Sequence, residues 1–187
     1  MLEKIIKAYD IRGLVKNEIT PDFSFALGVA FAKFLEYERE PATIVVGEDM
    51  RESSPLLADA FTDGATSQGM DVIRIGLAST DMLYFASGKL NLPGIMFTAS
   101  HNPAQYNGIK LCFSSARPIG KESGLVTIEN FVREHYPSLN AHYVQQTDRQ
   151  GVGQAIFLTR KLVQGEAIFI VLGDTICEYD IKAVIAE

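Results

Sequence analysis

Three short runs, "TIVVG" at 43–47, "DVIRIG" at 71–76 and "GIMFT" at 94–98, are apolar or β-branched and end at glycine or polar residues, and between them apolar residues recur at helical spacing. Runs of this kind predict buried strands, and strands that alternate with helices predict an α/β fold with a largely parallel sheet. Residues 21–36 carry a clear helical pattern, with Thr20 placed to cap it and Pro21 in its first turn. Residues 53–68 form a second helix, with Pro55 near its start and Gly69 beyond its end. Phe23, Phe31 and Phe34 fall on the first pattern and read as core. The expected architecture for residues 1–138 is a three-layer α/β/α sandwich with a mixed, mostly parallel sheet.

The stretch "IKLCF" at 109–113 alternates apolar and polar residues and predicts a further strand. Residues 99–108 lie between it and the strand at 94–98. That connection contains Asn-Pro and is shorter than the dozen or so residues a parallel crossover needs, so the two strands are expected to be antiparallel, with the loop projecting from the sheet edge. A helix over 120–136 ends before Pro137. Beyond it the pattern restarts as a short βαβα segment, 139–187, with a buried strand expected at 167–172.

Composition removes several classes of function. A net charge of −6 lacks the basic footprint that phosphate backbones demand, which argues against a nucleic-acid partner. No apolar run approaches the roughly 20 residues of a membrane span. The start "MLEKIIKAYDIRG" lacks the apolar region of a signal peptide, and a cytoplasmic location is the expectation. Cys112 and Cys177 sit in strand-like surroundings without metal-ligand spacing and read as buried free thiols. His135 and His142 are isolated and read as exposed helix-end or linker residues.

The densest chemistry lies in "FTASHNPAQYNGIK" at 97–110. Ser100 follows a strand, in a turn where a hydroxyl can reach solvent and backbone N–H groups can cluster. A phosphate on that oxygen needs such donors and a cation. Lys110, or His101, is suited to moving a proton to or from a sugar hydroxyl, while Arg12 and Arg51 are suited to gripping phosphoryl oxygens. Asp49 and Glu48 are candidates only as partners of Arg51. The residues alone leave a second reading open, in which Ser-His-Asn-Pro is simply a turn.

Taken together, 98–103 "TASHNP", 106–110 "YNGIK" and 9–13 "YDIRG" resemble the first domain of the α-D-phosphohexomutases, the phosphomannomutase/phosphoglucomutase group, from about residue 5 to about residue 138. The resemblance implies that Ser100 becomes phosphorylated, gives its phosphoryl group to a hexose phosphate and takes the other phosphate back from the reoriented bisphosphate. It further implies a general base at Lys110, help from His101, Arg12, Arg51 and Asn102, one Mg²⁺ ligand at phosphorylated Ser100, and hexose 1,6-bisphosphate as activator. The aspartate-rich "DGDGDR" loop of that family's second domain is absent from the sequence, so Mg²⁺ is expected to bind weakly or not at all. Mutase-type phosphotransfer in an incomplete or chimeric chain is therefore the leading expectation.

Residues 141–187 resemble instead an internal piece of a sugar-phosphate nucleotidyltransferase. Gly151 and Gly153 match its Gly-rich turn, and Asp174 its Mg²⁺-binding aspartate. Two further readings stay open: a nucleotidyltransferase-related protein, or a non-catalytic module able to self-associate through its C-terminal segment.

Overall fold

The computed structural model describes residues 2–136. The segment 139–187, with its expected strand at 167–172 and with His142, Gly151, Gly153, Asp174 and Cys177, lies outside the described residues. Among the described residues the elements run α1 (Leu2–Ile5), β1 (Ile11–Leu14), α2 (Pro21–Tyr37), β2 (Thr43–Glu48), α3 (Ser54–Thr66), β3 (Asp71–Leu77), α4 (Thr80–Leu90), β4 (Gly94–Phe97), β5 (Tyr106–Phe113), β6 (Arg117–Pro118) and α5 (Val126–His135).

Helix α2 starts where the sequence predicts. The Thr20 hydroxyl accepts the Phe23 N–H at 3.2 Å, and Pro21 opens the first turn, where a missing N–H costs nothing. The sheet runs in the order β1-β5-β4-β2-β3, with β6 beside β5. Pairings β2/β3 and β2/β4 are parallel, whereas β5 is antiparallel to β4, β1 and β6. Among the described strands β5 alone is therefore reversed, and all the others point one way.

Successive side chains of a strand face opposite sides, and the two sides carry separate cores. Ile44 and Val46 of β2, Ile95 and Phe97 of β4, and Ile109 and Leu111 of β5 join the large core under α2, α3 and α5. Val45 and Met96 point the other way and pack with Leu83 of α4. Helices thus cover both faces, as a three-layer sandwich requires. Phe23, Phe31 and Phe34 are buried as expected, and Phe31 stands 6.1 Å from Phe61, ring centre to ring centre. Each such fully buried ring contributes roughly 1.5–3 kcal/mol.

Helices α2 and α3 cross with almost no space between their backbones. A Cβ placed at Gly28 would lie 2.2 Å from the Phe61 carbonyl oxygen, and one at Gly64 would lie 2.1 Å from that of Phe25. Only hydrogen fits at either position.

Three expectations need correction. Residues 71–76 do not form a buried strand: β3 is the outermost strand, bonded to β2 on one side only, and leaves Ile73 40% and Leu77 69% exposed. The 120–136 helix is shorter than expected, because residues 121–125 form a wide turn and regular α5 begins at Val126. The Asn-Pro loop does join two antiparallel strands, yet it does not project from the sheet edge. It rises from the ends of interior strands β4 and β5, since β1, too short to show a period of its own, covers the outer side of β5.

Candidate functional site

The loop 98–105 is a closed excursion tied by its own groups. The Thr98 N–H donates to the Gly108 carbonyl at 2.9 Å, bridging the two strands at the loop's base. The Thr98 hydroxyl accepts the Ser100 N–H at 3.1 Å, and the Asn102 backbone and side-chain amides both donate to the Ala99 carbonyl, at 3.0 and 2.7 Å. Ser100 itself has φ 54°, the left-handed region, which costs a side-chain-bearing residue on the order of 1 kcal/mol. Its side chain is exposed, and Oγ lies 3.4 Å from His101 Nδ1.

Arg51, from the loop after β2, holds this excursion from behind. One terminal nitrogen donates to the carbonyls of Pro103 and Tyr106, both at 3.0 Å. The other donates to those of Ser100 at 2.9 Å and Asn102 at 2.7 Å. Its Nε stands 3.2 Å from Asp49 Oδ2, completing an ion pair. A guanidinium has five N–H donors, and the four terminal ones are taken by carbonyl oxygens. The expectation that Arg51 grips phosphoryl oxygens therefore gives way to another role, that of shaping the loop that carries Ser100. Asp49 is the expected partner, whereas Glu48 pairs with Arg74.

A partly buried network fixes Asp49 in turn. Asp49 Oδ1 accepts the Arg51 N–H at 3.1 Å and the Ser54 hydroxyl at 2.7 Å. Asn107, fully buried, donates to Ser53 Oγ at 2.8 Å and Ser54 Oγ at 3.0 Å, while its own oxygen accepts the Gly108 N–H at 2.7 Å.

Arg12 and Lys110 form a second cluster on one face of the sheet. Ile11 is paired with Ile109, which sets Asp10 beside Lys110 across the strands. Asp10, 7% exposed, receives Arg12 at 2.6 Å and Lys110 Nζ at 3.3 Å, both on the same Oδ2. A hollow of about 800 Å³ opens over the loop and is lined by Lys16, Arg51, Glu52, Ser100, His101 and Asn102 among others. The structure thus brings Ser100, His101, Asn102 and Arg51 together, while Arg12 and Lys110, joined to each other through Asp10, do not line that hollow.

Asp10, Lys16 and Asn107 were not singled out from the sequence. Asp10 lies within "YDIRG", but its two cationic partners come together only through strand pairing. Asn107 falls inside "YNGIK", but its bonds to Ser53 and Ser54 appear only in the fold, and Lys16 carries no local signal.

No cluster of three or more His, Cys, Asp or Glu side chains suited to a metal ion occurs among the described residues. Mg²⁺ needs several oxygens in octahedral array, so the described donors do not fit a Mg²⁺ cage. Asp174, the other expected ligand, lies outside the described residues. No helix among them is long and apolar enough to cross a membrane. Cys112 is a buried free thiol.

A mixed sheet covered by helices on both faces, with its strand-end loops converging on an exposed serine, defines an α/β/α domain built to present a hydroxyl at one rim. The family description "Phosphoglucomutase/phosphomannomutase, alpha/beta/alpha domain I" matches residues 3–137, and the chain belongs to that family. A phosphomannomutase of Klebsiella pneumoniae is 42% identical over 69% of this chain and 80% of its own length. A protein described as "Phosphohexose mutases" from Xanthomonas campestris is 43% identical over 67% of this chain but only 28% of its own length. Among solved structures, a phosphoglucomutase/phosphomannomutase family protein from Burkholderia thailandensis superimposes with a TM-score of 0.63 at 29% identity, covering 71% of this chain and 30% of that one. The chain thus spans less than a third of the length of the Xanthomonas relative it matches.

Proposed function

We propose that this domain carries a transferable phosphoryl group on Ser100 and exchanges it with hexose phosphates, as the first domain of a phosphomannomutase or phosphoglucomutase. The observation that carries the reading is Ser100 held at φ 54° with its hydroxyl exposed, on a loop whose carbonyls are gathered onto Arg51.

In the uptake step, Ser100 Oγ attacks the phosphorus of a hexose bisphosphate. The Oγ–P bond forms as the bond from phosphorus to the sugar oxygen breaks, and that oxygen leaves as the sugar hydroxyl. The serine proton passes to His101 Nδ1, the titratable group beside Oγ, and a proton returns to the departing sugar oxygen. Lys110, held by Asp10 together with Arg12, serves as a second proton carrier toward sugar hydroxyls. Such transfers depend on positioning and charge neutralisation more than on covalent help, which suits a rigid loop.

The test is intact mass before and after incubation with glucose 1,6-bisphosphate, beside Ser100→Ala. Addition of one phosphoryl group to the wild type and none to the variant is expected. Equal incorporation in both proteins would overturn the assignment. Sustained mutase turnover demands that a bisphosphate be held at both ends while it reorients. Assays of mannose 1-phosphate and glucose 1-phosphate conversion, run beside Ser100→Ala, separate phosphoryl uptake in the hollow over Ser100 from full turnover.

A further inference from the structure

We propose that Lys16 is a phosphate-binding side chain of the Ser100 hollow, contributing the mobile positive charge that the incoming phosphate monoester meets. The inference deepens the reading of that hollow as a phosphoryl site, and it rests on how the other charges nearby are engaged. Arg51 gives its terminal N–H groups to four loop carbonyls and is ion-paired with Asp49. Arg12 and Lys110 share Asp10 and do not line the hollow. Lys16 does line it, is exposed, and has no carboxylate within ion-pairing distance among the described residues. Glu52 lines it too, without pairing to Lys16, so the Lys16 ammonium is not already neutralised by that carboxylate.

The backbone places Lys16 where such a phosphate would arrive. Leu14 is paired with Tyr106, and the Val15 N–H donates to the Gln105 carbonyl at 3.0 Å, so the turn bearing Lys16 is fastened to the loop bearing Ser100. The loop also offers neutral donors. In a trans peptide the N–H points opposite to the C=O. With the Ser100 and Pro103 carbonyls turned toward Arg51, the N–H groups of His101 and Ala104 are turned away from it, and neither takes part in a backbone hydrogen bond among the described residues. Outward amides joined by one flexible ammonium form an anion-binding concavity. Lysine suits the task because its compact charge, on a four-carbon stem, can follow a phosphate that changes position.

Binding of inorganic phosphate to the full chain, followed by ³¹P line broadening, tests the proposal independently of phosphoryl transfer. Lys16→Met is expected to weaken binding by roughly three- to tenfold, the range for a partly exposed charge-assisted contact, and Lys16→Arg to retain most of it. Lys121→Met, which removes a lysine from a separate hollow beside Tyr9, is expected to leave binding unchanged. Wild-type affinity in Lys16→Met, or equal weakening in Lys121→Met, would overturn the proposal. Parallel mass measurements with glucose 1,6-bisphosphate separate the two readings. Phosphate binding that depends on Lys16 without phosphorylation of Ser100 leaves this inference standing and removes the proposed function, whereas Ser100 phosphorylation with Lys16-independent binding does the reverse.

Discussion

The guanidinium of Arg51 lies 2.9 Å from the carbonyl oxygen of Ser100, a residue 49 positions further along the chain. Arg51→Lys keeps the charge but cannot reach four carbonyls arranged around a planar fork. The substitution is expected to slow phosphoryl uptake by Ser100 at least tenfold, the scale on which small misplacements of reacting groups act, with the circular dichroism of the fold retained. Amide exchange should speed up across 99–106 and stay slow in β2 and β4. Uptake at the wild-type rate with an unprotected loop would show that the Arg51 contacts do not position the serine.

At the crossing of α2 and α3, Gly28→Ala and Gly64→Ala each drive a methyl group into the carbonyl of the facing helix. Overpacking against backbone cannot be relieved by a rotamer change, and a loss of about 1–3 kcal/mol or more is expected for either variant. Urea unfolding monitored by circular dichroism reads this as a lowered midpoint with an unchanged slope.

Asp10 holds two cations on one oxygen at the sheet face. Asp10→Asn leaves Arg12 and Lys110 facing each other without an anion, and a destabilisation of about 1–3 kcal/mol is expected. Added salt should recover part of it by screening the two like charges. A midpoint indifferent to both the substitution and the salt would mean that the pairs are too hydrated to matter.

Burial is the main cause that pushes the Cys112 thiol above its ordinary value, only partly offset by the Ser87 hydroxyl. The neutral thiol is the form the fold favours. This contribution is complete below the unfolded thiol's value and is lost as pH rises through the higher folded one. In native protein at neutral pH, Cys112 is expected to stay unlabelled by a thiol reagent, as read by peptide mapping, and to become labelled once urea unfolds the chain.

Much of the scaffold was legible because its signals are local. Thr20 and Pro21 announce α2, and an Asn-Pro loop too short for a crossover dictates antiparallel β4 and β5. The exposure of β3 was not legible, since a run such as "DVIRIG" looks alike at the centre and at the border of a sheet, and only strand order separates the two. The task of Arg51 was hidden for a related reason. Side-chain chemistry suggests that an arginine near a phosphoryl site grips phosphate, but its partners are main-chain oxygens 49 to 55 residues away, which no motif spells out. Ser100, His101 and Asn102 were legible as a group because they are neighbours in the chain. The grouping of Lys110 with Arg12 through Asp10 needed the β1/β5 register.

The reversal of β5 has a consequence for motion. The segment bearing Ser100 leaves one interior strand and re-enters the next within eight residues, so both of its ends are anchored in the sheet, and Arg51 fills its middle. A serine mounted this way has no arm to swing. If it exchanges phosphoryl groups with two different positions of one sugar, it does so as a stationary post, and the sugar must turn around in front of it.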